Sequence, residues 1–257
     1  MLNNIFDTHA HFEDALFDGT RFEVLDKLQA NGVVNVLNCC SDVDVIPTIL
    51  ELLDKYDFLY GSAGVHPHWT PETPNNYLDI LREALKHPKM VALGEIGLDY
   101  FFDDDKKVQM RMFVEQMELA QELDLPVIIH DRDAHDDTYP VLEKFRLPGI
   151  VHRFAGDLGH LKKVLDMGMY ISFNGDITYP EWNETLLKVI AAVPNDAFLL
   201  ETDAPYMPPK ALEDQKLCDP TMIPHIVQVI ADIKKMDPQE VCDITYKNAL
   251  KAYRLDK

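Results

Sequence analysis

The chain has 257 residues, 24 Lys+Arg against 44 Asp+Glu, 47% hydrophobic residues and 4 cysteines. That balance excludes a disordered tract, a collagen repeat and a disulfide-stapled mini-domain. A formal charge of -20 argues against a general nucleic-acid-binding surface, because counterion release needs Lys and Arg set against phosphates.

Short apolar, β-branched runs recur along the chain at Ile5–His11, Val33–Cys40, Phe58–Val65, Val91–Leu98, Val127–His130, Ile150–Phe154, Tyr170–Asn174 and Phe198–Asp203. Between them, apolar residues fall at helical spacing, as in Phe22/Leu25/Leu28, Leu78/Leu81/Leu85 and Leu158/Leu161/Leu165. Two further helical segments close the chain, the second entered through Asp237-Pro238, a capping residue followed by a first-turn proline. Strands that stay apolar without alternating suit a parallel sheet covered on both faces, and eight β/α units suit closure into a barrel. The expected fold is therefore α/β, a TIM-type (β/α)8 barrel that tolerates distortion and carries additional C-terminal helices. An open doubly wound sheet shares this periodicity and stays open at this stage. No linker or repeat marks a second unit, so residues 1–257 are expected to form one domain. The chain starts without a basic segment followed by an apolar one, and Cys39, Cys40, Cys218 and Cys242 form no Cys-x-x-Cys pair. A cytoplasmic protein without a membrane anchor or an obligate protein partner is the expectation.

Ligands of parallel α/β proteins bind at the carboxyl ends of the strands, and those ends are rich in chemistry here. The first run ends in Asp7-Thr8-His9-Ala10-His11, the third leads into Gly64-Val65-His66-Pro67-His68, and the fourth carries Gly94-Glu95-Ile96-Gly97-Leu98-Asp99. The fifth ends at His130, the sixth contains His152, and the eighth ends in Glu201-Thr202-Asp203. Residues i and i+2 of a strand share a face, so His9 and His11 can converge on one ion. His9, His11, Glu95, His130, His152 and Asp203 come from five strands but meet at one end. Four imidazoles and two carboxylates are too many polar groups to bury unpaired, and two divalent metal ions would satisfy them. Glu95 has two carboxylate oxygens with which to bridge such ions. Imidazole-rich ligation suits Zn, Ni, Co or Fe and the carboxylates admit Mg and Mn, so Zn is expected as found, with Mg or Mn as activator.

These motifs, in this order and along nearly the whole chain, resemble the TatD-type metal-dependent hydrolases of the amidohydrolase-like superfamily. The resemblance extends to Pro126-Val127-Ile128-Ile129-His130 with Arg132-Asp133-Ala134, and to Leu200-Glu201-Thr202-Asp203-Ala204-Pro205-Tyr206. It implies a TIM-type barrel, a two-metal site on His9, His11, Glu95, His130, His152 and Asp203, and deoxyribonuclease activity, often on single strands from the 3′ end. Asp203 is then expected to orient or deprotonate a metal-activated water. His66 is the candidate for contacting the phosphate or leaving group, against a histidine merely packed at the mouth. Arg132 is the candidate basic contact, against a salt bridge to Asp131, Asp133 or Asp136. Asp7 is expected to orient a metal-bound imidazole, and Glu201 to play a similar supporting part.

Two departures bear on substrate. The family usually reads His-Cys-Phe-Ser-Gly where this chain has His152-Arg153-Phe154-Ala155-Gly156, and the basic stretch expected after the eighth strand is replaced by Lys210–Pro220, which is net acidic. Long-range attraction of duplex DNA is not expected, and a strand end or a small phosphate ester suits the mouth better. The competing readings are an amidohydrolase-like enzyme acting on an amide, lactone or small phosphate ester, and a metal-binding scaffold without catalysis.

Overall fold

Burial on both faces dictates the strands. Every residue of β1 (Ile5–Ala10) is buried, and β4 (Met90–Asp99) and β5 (Val127–Arg132) are buried over nearly their whole lengths, the pattern of a parallel sheet clad in helices. In the computed structural model, which describes residues 1–179 and 184–256, the other strands are β2 (Val33–Asn38), β3 (Leu59–Ala63), β6 (Gly149–Val151), β7 (Tyr170–Phe173) and β8 (Phe198–Leu200). All neighbours pair in parallel in the order β1-β2-β3-β4-β5-β6-β7-β8. The helices between them are α1 (Arg21–Leu28), α2 (Ile46–Lys55), α3 (Tyr77–Ala84), α4 (Lys106–Leu123), α5 (His135–Phe145), α6 (Leu158–Asp166) and α7 (Glu184–Ala192), followed by α8 (Ile223–Lys234) and α9 (Pro238–Ala252). The sequence-predicted start of α9 is observed, with Asp237 capping the Gln239 N–H and Pro238 in the first turn.

The ring is nearly closed rather than fully laddered. β1 meets the segment beyond β8 through a bridge between Ala10 and Ala204 and two backbone bonds, Asp203 N–H to His9 O at 2.9 Å and His11 N–H to Ala204 O at 2.7 Å. This confirms the barrel over the open sheet.

Inward and outward residues separate into two apolar clusters. Phe6, Leu37, Ala92, Ile128, Ile150 and Leu199, one from each of six strands, gather with Ala249, Ala252 and Tyr253 at the end of α9. They fill the barrel interior, while Ile5, Val36, Leu93, Ile129, Val151 and Leu200 pack in the larger cluster with the surrounding helices. The Tyr253 hydroxyl donates to the Thr8 carbonyl at 2.7 Å, tying the end of α9 to β1.

Alternation carried up from the interior residues predicts which functional side chains point inward. On β5, β6 and β8 it works directly, since Ile128 leads to His130, Ile150 to His152, and Leu199 to Glu201 and Asp203. On β1 and β4 it fails by one residue, because strict alternation from Phe6 and Ala92 would turn His9 and Glu95 outward. The pairing register shifts between Asp7 and Ala10 and between Leu93 and Ile96, and these irregularities re-aim both side chains at the centre.

Candidate metal centre and its cleft

His9, His11, Glu95, His130, His152 and Asp203 are all buried and brought together. His11 stands one residue past β1, His152 one past β6, and Asp203 three past β8, so the predicted strand ends run slightly long at those places. His9 Nε2 and His11 Nε2 are 3.0 Å apart, and they lie 3.3 and 3.5 Å from Glu95 Oε2. On the other side, Glu95 Oε1 lies 2.7 Å from both His130 Nδ1 and His152 Nε2, which are 3.1 Å from each other. Asp203 Oδ1 sits 3.8 Å from His9 Nε2 and 3.7 Å from His11 Nε2. Two triads, His9/His11/Glu95 and Glu95/His130/His152, therefore share one carboxylate.

The donor set fits metal ions. Ligand atoms about 2.0–2.2 Å from a tetrahedral ion lie roughly 3.3–3.5 Å from one another; the His9/His11/Glu95 triad, at 3.0–3.5 Å, is close to this, and the Glu95/His130/His152 triad, at 2.7–3.1 Å, is tighter. The buried His9 Nδ1 and His152 Nδ1 have no hydrogen-bond partner, so both rings present Nε2 to the centre, His152 Nδ1 facing only the Glu201 carboxylate at 3.5 Å. Electrostatics point the same way. Burial works against charge on Glu95, and the imidazoles of His152, His66, His9 and His130 outweigh it, holding the carboxyl well below its ordinary range. Burial alone would lower His11, but Glu13, Glu95 and Asp203 carry it up to about 10. The centre thus attracts positive charge at His11, His130 and His152, all shifted upward, while burial and the neighbouring His152 push His9 down.

Supporting groups were less legible in the sequence. His11 Nδ1 lies 2.9 Å from Glu13 Oε1, whose other oxygen accepts from Asn38 Nδ2 at 2.8 Å. His130 Nε2 lies 3.0 Å from Asp99 Oδ2, and the Asp99 backbone is gripped at both N–H and C=O by Gln109. Metal-bound imidazoles commonly lean on such carboxylates. Glu13 was missed, although it continues the His9-x-His11 alternation by one more step. Asp99 was visible only as the last residue of a motif. Gly97 in that motif has φ +144°, and a Cβ there would sit 1.9 Å from the His130 carbonyl oxygen, so only glycine lets β4 approach β5 at the ligand.

Asp7 corrects an expectation. It orients no imidazole; one carboxylate oxygen accepts the N–H groups of His9 (3.2 Å) and Thr202 (3.0 Å), and the other accepts the Thr202 hydroxyl (2.5 Å). Burial pushes its pKa up to about 8. The side chain sews β1 to the segment that carries Asp203, where no strand ladder does so. Glu201 accepts from Arg153 N–H at 2.7 Å and Ser172 Oγ at 2.5 Å, with Oε1 3.5 Å from His152 Nδ1.

His66 Nδ1 accepts the His68 N–H at 3.1 Å, which leaves the proton on Nε2, 3.6 Å from Glu95 Oε1. Burial pushes this imidazole down to about 3. Arg132 departs from the alternative weighed for it: among the described residues it pairs with no aspartate, and its guanidinium lies 3.7 Å from the centroid of Phe101. Asp131 instead holds His135 Nδ1 at 2.6 Å and the Thr138 hydroxyl at 3.1 Å. Arg153, which the sequence flagged only as a departure from the family pattern, donates from Nε to Asp176 at 2.9 Å and lines the same cleft as Asp203 and His152. This cleft, about 410 Å³, opens above the six residues and is walled by His66, Trp69, Phe102, Arg132, Arg153 and Tyr206 among others.

A sequence profile of the family TatD related DNase matches residues 6–254. The chain belongs to the TatD family of metal-dependent hydrolases. Among TatD relatives, it is 32% identical over 256 residues to the uncharacterized metal-dependent hydrolase YabD of Bacillus subtilis, covering 98% of this chain and 100% of that one. The 3′-5′ ssDNA/RNA exonuclease TatD of a Rahnella strain is also 32% identical, over 98% of both chains. The crystal structure of YjjV, a TatD homologue from Escherichia coli K12, superposes with a TM-score of 0.93 at 32% identity, covering 99% of each chain. As a TatD-type protein the chain is a metal-dependent hydrolase, and its buried histidine–carboxylate clusters suit that chemistry. Among the described residues, no helix is long and apolar enough to cross a membrane.

Proposed function

We propose that this chain is a divalent-metal-dependent phosphodiesterase that shortens single-stranded DNA from its 3′ end. The observation that carries the reading is the carboxylate shared by two histidine-rich triads, with a further carboxylate, Asp203, beside them at the floor of an open cleft. The Rahnella relative acts on single-stranded ends, and a net charge of -20 disfavours capture of long duplex. His9, His11, Glu95, His130, His152 and Asp203 would hold two ions, Zn or an activating Mg or Mn. Such ions supply Lewis acidity towards phosphoryl oxygens and lower the pKa of water.

The protein's own groups divide the remaining work. Asp203 orients the attacking water and accepts its proton. The new bond joins the water oxygen to phosphorus, the bond to the 3′ oxygen of the preceding nucleotide breaks, and that oxygen takes a proton from solvent while Asp203 releases its own to solvent, leaving a 3′-hydroxyl and a 5′-phosphate. The Nε2–H of His66 hydrogen-bonds the departing oxygen, with its tautomer fixed by the His68 N–H. Arg132 and Arg153 provide cationic contacts from the walls to the non-bridging oxygens.

The test is hydrolysis of a 5′-labelled single-stranded oligodeoxynucleotide by metal-loaded protein at low salt, with Asp203→Asn as the matched control. A ladder shortening from the 3′ end with wild type alone is expected. An uncut strand with ions confirmed bound would sink the nuclease reading and turn attention to small phosphate esters, amides and lactones.

A further inference from the structure

The cleft has an aromatic side that the hydrolytic centre does not use. Trp69 is 39% exposed, Phe102 40% and Phe101 58%, although large apolar rings are ordinarily covered. They form a continuous wall: the His68 ring lies 5.5 Å from Trp69 and 4.8 Å from Phe102, and Phe102 lies 5.2 Å from Phe101, which carries the Arg132 guanidinium on its face. The wall is fixed to the centre at both ends. The His68 N–H donates to His66, and the Phe101 N–H donates to Asp99 Oδ1 at 3.0 Å.

We propose that Trp69 and Phe102 form a stacking subsite for the base of a nucleotide whose phosphate lies at the metal centre; the inference rests on the phosphodiesterase reading above. Three features select this occupant. Partly exposed rings lining a cleft of about 410 Å³ suit a planar group of nucleotide size rather than a helix or a duplex. Arg132, which pairs with no acid among the described residues, supplies a cation at the same wall for the charged end of the same molecule. Aromatic faces also accept any base, which a sequence-tolerant enzyme requires. A base inside a duplex has both faces covered by its stacked neighbours and cannot present one to this wall, so the subsite suits terminal and unpaired bases.

The test is calorimetric titration of manganese-loaded protein with a deoxynucleoside 5′-monophosphate and with 2-deoxyribose 5-phosphate, which keeps the sugar and phosphate and lacks the base. The nucleotide is expected to bind at least about tenfold tighter. In Trp69→Leu and Phe102→Leu the gap should shrink towards onefold while the sugar phosphate binds as before. Both side chains sit at the rim, and unchanged thermal midpoints would confirm that the variants fold. Equal affinities in wild type, absence of binding by both compounds, or a gap that survives in both variants would overturn the subsite. Base-dependent binding by a protein that leaves oligonucleotides uncut would support the subsite while removing the phosphodiesterase reading.

Discussion

The floor of the cleft and its rim follow opposite rules. On the floor, charged and polar groups are buried and engaged: Glu95 by five imidazoles, His11 by Glu13, His130 by Asp99, and Asp7 by Thr202 and His9. At the rim, Trp69, Phe101 and Phe102 stay exposed and Arg132 rests on a ring, with no acid paired to it among the described residues. Desolvation explains the difference. A buried charge without a partner costs several kilocalories, so every floor residue is constrained by its neighbours. A rim residue faces water and is free to serve the substrate.

Substitutions on the floor should have the largest effects and act through the ions. Glu95→Gln removes the carboxylate common to both triads, and a loss of roughly 10³-fold or more in turnover is expected together with reduced bound metal, checked by elemental analysis. Asp203→Asn should reduce turnover by a similar factor of about 10³ while metal content falls far less; equal loss of metal in the two variants would remove the distinction between holding ions and moving a proton.

One layer further out, Glu13→Gln and Asp99→Asn keep every ligand but weaken the support of His11 and His130. Metal affinity should drop about 10–100-fold, read by chelator competition, with turnover restored at high metal. A variant that stays inactive when saturated would place these carboxylates in the reaction itself.

Rim effects should be smaller and depend on the substrate. Arg153→Gln is expected to lower kcat/KM for a phosphodiester by about tenfold, the scale of a charge-assisted hydrogen bond, and to leave a neutral ester nearly unaffected. Equal losses on both substrates would assign Arg153 to structure, through its ion pair with Asp176.

The smallest effect lies outside the cleft. The hydrogen bond to Asp131 raises the half-buried His135 above its ordinary value of 6.5, so the folded state holds that proton more tightly than the unfolded chain. Its stabilisation is complete below about pH 6.5 and is lost as pH rises through the folded-state value. Denaturant titrations from pH 5 to 9 should show this slope in wild type and lose it in His135→Gln, with metal binding unchanged. A slope that persists would point to another group.

The amino-acid sequence by itself determined a clad parallel sheet and pointed to six residues at its strand ends, while the barrel was an expectation that the family resemblance supplied and closure between Ala10 and Ala204 decided. Eight unalternating apolar runs require a clad parallel sheet, and such a sheet presents its strand ends as one surface, so histidines and acids at those ends must meet. It also marked Arg153 as a departure. Tertiary structure alone decided how the residues face one another. Alternation delivers His130, His152 and Asp203 inward, but His9 and Glu95 need the register shifts in β1 and β4, and those depend on neighbouring strands. The same holds for Asp7, Glu13 and Asp99. Each is one carboxylate near a ligand in the chain, and which hydrogen bond it makes is set by where closing the barrel brings Thr202, Asn38 and Gln109.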